Sequence, residues 1–134
     1  MKQGILRKPF IFNEQIDTSF LFGMYEDDFA YIEQVFYGTL VELHATIPKC
    51  ESSYQSADLV SLKQVIHKIK PSFGFTGLLK IQALLQQFED ACLAYESIEA
   101  LHVFYHEVIG SIHAGKEIIE TDYNKLKDYN GSKV

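Results

Sequence analysis

Few prolines, few bases and no long apolar run mark this 134-residue chain, and each shortage removes a class of protein. Three prolines and eight glycines leave no room for a low-complexity linker. No apolar run approaches the ~20 residues that cross a bilayer. No uninterrupted apolar signal core follows the first charges either, so the expectation is a cytoplasmic protein without a membrane segment. Twelve bases against eighteen acids give a net charge of −6. That argues against a nucleic-acid partner, because such binding rests on a basic footprint. Cys50 and Cys92 form no Cys-x-x-Cys spacing and read as reduced packing thiols. There is no convincing period-two alternation and no Asn-Gly turn between β-rich segments. A Walker-type glycine loop for a nucleotide is missing as well.

What is present is helical periodicity. Hydrophobic residues make up 47% and charged residues 22%, ordinary for a soluble globular protein, and the length suits one core. Residues 1–16, with Pro9 and the cluster Phe10, Ile11 and Phe12, read as an arm packed on a bundle domain of residues 17–134. Asp17-Thr18-Ser19 caps a short helix carrying Phe20, Leu21 and Met24. Asp27 or Asp28 opens the longest pattern, through Phe29, Ile32, Phe36, Leu40, Leu43 and Ile47. Pro48 takes the partner from the carbonyl of His44, which predicts a kink or an end there, although Cys50 and Tyr54 extend the face as far as Ser56. Asp58 starts the next helix. Thr76 caps its successor, with Leu78, Ile81, Leu85, Phe88, Cys92 and Tyr95 at heptad-like spacing. Ser97 caps the last, with Leu101, Tyr105, Val108, Ile112, Ile119 and Leu126 on its buried side and Asn130-Gly131 as the stop. Short connections force antiparallel neighbours. The expected fold is all-α, an up-down antiparallel four-helix bundle with a short extra N-terminal helix.

The helix opened by Asp58 carries the most informative residues. At about 100° per residue, Leu59, Leu62, Val65, Ile66, Ile69 and Phe73 gather into one apolar stripe. His67 points roughly 130° away from its middle, into solvent. Lys63 and Lys70 fall on the same face one turn either side, with Pro71 and Gly74 below. An exposed imidazole with cationic neighbours and little bulk on its C-terminal side suits an incoming phosphoryl group and its carrier. Pro71 removes the amide that would bond the carbonyl of His67, so two courses are open beyond it. If the helix runs on, Phe75 stands about 150° out of phase with the stripe and serves a partner. If Pro71 bends the chain, Phe75 tucks into the bundle. Phe20, Met24, Lys63, Pro71, Gly74 and Phe75 are the candidate partner surface.

A second reading starts from His102 and His106, an i, i+4 pair, with Glu99-x-x-His102 in carboxylate-bundle spacing and His113 two turns on. A metal-binding four-helix bundle would use them. It would need a second Glu-x-x-His and further inward carboxylates, and no matching copy is present. These histidines flank the core stripe, so no metal is expected.

The segment His67-Lys68-Ile69-Lys70-Pro71-Ser72-Phe73-Gly74-Phe75-Thr76-Gly77-Leu78 resembles the phosphorylation motif of histidine-containing phosphotransfer (HPt) domains. That motif runs His-x-hydrophobic-Lys-Gly-Ser/Ala-small, with Gly-Ala/Leu some ten residues on. The resemblance extends roughly from Asp17 to Leu126. Its carrying residues are His67, Ile69, Lys70, Ser72, Gly77 and Leu78, with Asp27-Asp28-Phe29 at the entry to the longest helix. It implies a phosphorelay intermediate in which His67 accepts a phosphoryl group from a receiver-domain aspartate and passes it to another receiver. Lys70 corresponds to the lysine that helps neutralise the phosphoryl oxygens.

Two positions depart from the family pattern. Pro71 stands where glycine is usual, keeping that face free of a flexible side chain while stiffening the turn. Glu89 stands where some members have a glutamine contacting the imidazole. Its carboxylate would accept Nδ1–H of His67, leave Nε2 free and raise its basicity, and it would also repel a bound phosphoryl group. By the same resemblance the partners are receiver domains of response regulators or hybrid histidine kinases. The receiver brings Mg2+, and the chain itself needs no cofactor. A monomeric phosphocarrier without autonomous kinase activity is expected, since the chain is too short to hold a kinase domain beside the bundle. The remaining alternative is a non-catalytic receiver-binding module, against which the retained His67 argues. Met1 and the tidy helix ends favour a free-standing protein over a piece of a hybrid kinase.

Overall fold

Asp17, Asp28 and Asp58 each accept a hydrogen bond from the amide three residues on, those of Phe20, Tyr31 and Ser61, at 2.9, 3.0 and 3.0 Å. Each satisfies an N–H that the first turn of a helix leaves without a partner. The computed structural model describes residues 8–94 and 97–131. The capped helices are α1 (Thr18–Tyr25), α2 (Phe29–Gln55) and α3 (Leu59–Phe75). They are followed by α4 (Leu79–Ala94), one 3₁₀ turn (Glu99–Leu101) and α5 (His102–Gly131). Ser97 Oγ accepts from the amide of Ala100 at 3.4 Å at the head of that turn. Tyr95 lies outside the described residues.

Neither internal proline ends its helix. α2 runs through Pro48 and α3 through Pro71, so of the kink or end expected at Pro48 the end is ruled out, and α2 continues to Gln55. The reason is where the lost hydrogen bond falls. Both prolines are exposed, and so are His44 and His67, whose carbonyls lose a donor, so each lost bond falls on the solvent side of its helix, where water can serve the carbonyl. Beyond each proline the chain is held by buried side chains, Cys50 in α2 and Phe73 in α3, with Ile47 and Ile69 just before. Burial at roughly 1.5–3 kcal/mol for each large apolar side chain outweighs the ~3 kcal/mol a helical proline costs.

Thr76 does not cap the helix that follows it. It is the C-cap of α3, and its hydroxyl donates back to the carbonyls of Ser72 and Phe73 at 3.0 and 3.3 Å. Gly77 then takes φ +78°, a left-handed conformation that glycine adopts without a Cβ penalty. Its amide bonds the carbonyl of Gly74, and that of Leu78 bonds Phe73. This paired pattern closes a helix with a buried contact between its last turn and the residue beyond. Leu78 and Phe73 are both buried.

α2 packs against α3 and α5, and α4 closes the ring against the same two helices, giving the expected up-down four-helix bundle. Phe36, Phe73 and Phe88 are fully buried at its centre, with Ile32, Leu43, Leu62, Ile66, Leu85 and Ile112. Residues 8–16, ahead of α1, pack against the bundle. Phe10, Phe12 and Ile16 are buried, and Phe10 packs on Phe29 and Tyr129. Asp122, buried in α5, accepts from the amide of Asn13 at 2.7 Å. The amide of Asp17 bonds the carbonyl of Gly77, which ties the start of α1 to the α3–α4 turn. Among the described residues no helix is long and apolar enough to cross a membrane.

Candidate functional site

The antiparallel seam between α3 and α4 positions the site. Gly74 lies against Gln82, Lys70 bonds Gln86, and His67 bonds Glu89. Steps of four and three residues on α3 are thus matched by four and three on α4, so this face of each helix stays in contact through two turns. His67 leaves α3 toward solvent with its side chain 71% exposed. Its Nδ1 is 2.9 Å from Glu89 Oε1. Glu89 is buried, at 6% exposure, and Lys70 Nζ stands 2.7 Å from its other oxygen, Oε2. That second contact is a close ion pair without hydrogen-bond alignment. Lys70 directs its hydrogen bond to Gln86 Oε1, at 2.6 Å.

Burial alone would push the Glu89 carboxyl up, and it is the largest single influence. The close Lys70 ammonium, together with the hydrogen bond and charge of His67, outweighs it and holds the group below its ordinary value. Glu89 is therefore ionised at neutral pH and can only accept, so Nδ1 of His67 carries a proton, and the neutral tautomer of the ring is the one with Nε2 free. A depressed carboxyl in the folded state contributes stability that is present above the ordinary carboxylate range and lost as pH falls through the folded value. Glu89→Gln is accordingly expected to differ most from the wild type near pH 7, with the gap closing in acid. Urea unfolding across a pH series measures this, and a gap that stays constant with pH would contradict it.

The other flank of His67 is an open groove between α1, α2 and α3, lined by Met24, Tyr31, Val35, Lys68, Pro71 and Phe75 among others. α3 continues past Pro71, so Phe75 stays outside at 53% exposure, and the tucked alternative is excluded. The Tyr25 hydroxyl donates to the Phe75 carbonyl at 2.9 Å and fixes α1 beside this end of α3. Phe20, Met24 and Pro71 are exposed as expected, while Lys63 is half-buried one turn before His67. Gly74 is a correction. It is buried, and a Cβ there would meet Gln82 Nε2 at 2.5 Å, so its missing side chain makes room for Gln82 and leaves no surface for a partner.

His102 and His106 sit at the far end of the bundle from the α3–α4 turn, with ring centroids 4.5 Å apart. His102 Nδ1 is engaged with the Tyr54 hydroxyl at 2.6 Å. Among the described residues no three His, Cys, Asp or Glu side chains converge as a metal site.

No protein-family model matches the sequence, and no curated protein sequence does. Among solved structures, the HPT domain from the Hpt sensor hybrid histidine kinase of Shewanella is similar, with a TM-score of 0.72. The match covers 83% of this chain and 95% of that one, at 15% identity. The chain has the HPt fold. At such identity the likeness is one of fold, and the chemistry must be argued from the side chains. In this HPt fold the acceptor candidate, its buried carboxylate and its lysine come from two helices and meet within hydrogen-bond range. Gln82 and Gln86 carry no motif signal. Their place at seven and three residues before Glu89, on one helical edge, is the sequence pattern that would have singled them out.

Proposed function

We propose that the protein is a phosphorelay intermediate in which His67 accepts a phosphoryl group from a receiver-domain aspartate and gives it to another receiver. The observation that carries this reading is the exposed imidazole of His67, held at Nδ1 by a buried, ionised Glu89 within an HPt fold. The lone pair of Nε2 forms a bond to phosphorus while the bond from phosphorus to the receiver's carboxylate oxygen breaks, returning a free aspartate. Nδ1 keeps its proton, so the ring becomes formally positive as the group arrives. Glu89 meets that charge at Nδ1, across the ring from the phosphoryl group. Its other oxygen is already paired with Lys70, so stabilisation of the ring outweighs repulsion of the phosphate. The receiver supplies Mg2+ and the acyl phosphate, and in-line approach is left to an open face of α3.

Incubation with phosphorylated receiver domains should place acid-labile, base-stable phosphate on His67. Failure to accept phosphate from a broad panel of phosphorylated receivers would remove the proposal. The groove beside His67 is the surface that this reading assigns to the receiver, with Phe75 as its most exposed aromatic. Phe75→Ala should weaken receiver binding while the melting temperature stays near wild type, because an exposed side chain contributes little to the core. A drop in stability comparable to a core truncation, ~3–5 kcal/mol, would remove Phe75 from the interface.

A further inference from the structure

We propose that Gln86 is a positioning residue for phosphoryl transfer, acting by anchoring Lys70 beside Glu89 and His67. The inference rests on the phosphotransfer reading above and extends it to a side chain outside the HPt-like motif. Gln86 Oε1 accepts from Lys70 Nζ at 2.6 Å, and Gln86 Nε2 donates to Asp90 Oδ1 at 3.0 Å. The amide has only one workable orientation. Lysine offers no acceptor and an ionised aspartate no donor, so the oxygen must face Lys70 and the nitrogen Asp90. Asp90 thereby fixes the amide, and the amide fixes the ammonium.

The consequence lies in how Lys70 is shared. Its side chain is only 17% exposed, and two groups from α4 hold the ammonium, Glu89 Oε2 by charge at 2.7 Å and Gln86 Oε1 by a hydrogen bond. Without Gln86 the lysine would have a single anchor and would regain rotamer freedom on an otherwise open edge. With it, the cation is in place before the phosphoryl charge arrives, which lowers the ordering needed at the moment of transfer. Gln86 itself is exposed, so its replacement leaves the core untouched.

Phosphoramidate, a small phosphodonor, tests this without a cognate receiver. The rate of His67 phosphorylation is followed by intact mass in wild type, Gln86→Met, Lys70→Ala and the double variant, with melting temperatures alongside. Gln86→Met is expected to slow the reaction about threefold at an unchanged melting temperature, and to have no effect once Lys70 is absent. That non-additivity is what a residue acting through Lys70 must show. Equal slowing in both backgrounds, or no slowing with Lys70 present, overturns the role of Gln86 and leaves His67 as acceptor. A wild-type protein that takes no phosphate at His67 overturns both readings together.

Discussion

His67→Gln is expected to abolish phosphoryl acceptance while changing stability by no more than ~0.5 kcal/mol. The side chain is mostly in solvent and bonds Glu89 Oε1 at 2.9 Å, so little buried area is lost. Glutamine also carries an N–H that can donate to Glu89, which keeps the buried carboxylate from losing a donor. What glutamine lacks is a nucleophilic nitrogen, since its amide lone pair is delocalised. Transfer from a phosphorylated receiver, read as radiolabel or mass, should fall to background, with a denaturant midpoint matching wild type. Persistent labelling of the variant at another histidine, such as His44 or His106, would move the acceptor site elsewhere.

Lys70→Ala should act on stability and on rate at once. The ammonium lies 2.7 Å from Glu89 Oε2, an atom with no aligned hydrogen bond, and Glu89 is buried. Removing the cation strands a buried carboxylate, a class of change that costs several kcal/mol when no partner remains. His67 still donates to the other oxygen, so a loss of about 2 kcal/mol is expected. Phosphoryl transfer should slow about tenfold, equivalent to ~1.4 kcal/mol of barrier, because the lysine stabilises spread charge without bonding to phosphorus. Lys63→Ala should matter less, as Lys63 makes no ion pair with this cluster. The added change Glu89→Gln separates the two effects. A neutral amide needs no counter-charge, so the double variant should regain stability but not rate. A Lys70→Ala protein as stable as wild type would mean that Glu89 is satisfied some other way.

Local chemistry made much of this legible from the chain. The aspartate caps at Asp17, Asp28 and Asp58 need only the next three residues, and all three are seen. The exposure of His67 follows from its angle to a stripe on the same helix. Thr76 was misread because a threonine before an apolar run is an N-cap signal, whereas its hydroxyl is taken by carbonyls behind it. Pro48 left a kink and an end both open because the ~3 kcal/mol penalty for a helical proline is a local quantity, and the burial that outweighs it comes from other helices. Gly74 looked like open surface for the same reason, until Gln82 arrived from α4.

The sequence alone determined which segments are helical, which stripe of each is apolar and which side of α3 carries His67, since those depend on contacts within about four residues. The axial register of α4 on α3 depends on how two side-chain surfaces interlock, and no spacing within either helix specifies it. That register brings Glu89 to Nδ1 and Gln86 to Lys70, sets the course past Pro71 against the core, and leaves Phe75 outside. Tertiary packing therefore set the electrostatics around an exposed histidine that the sequence had already singled out.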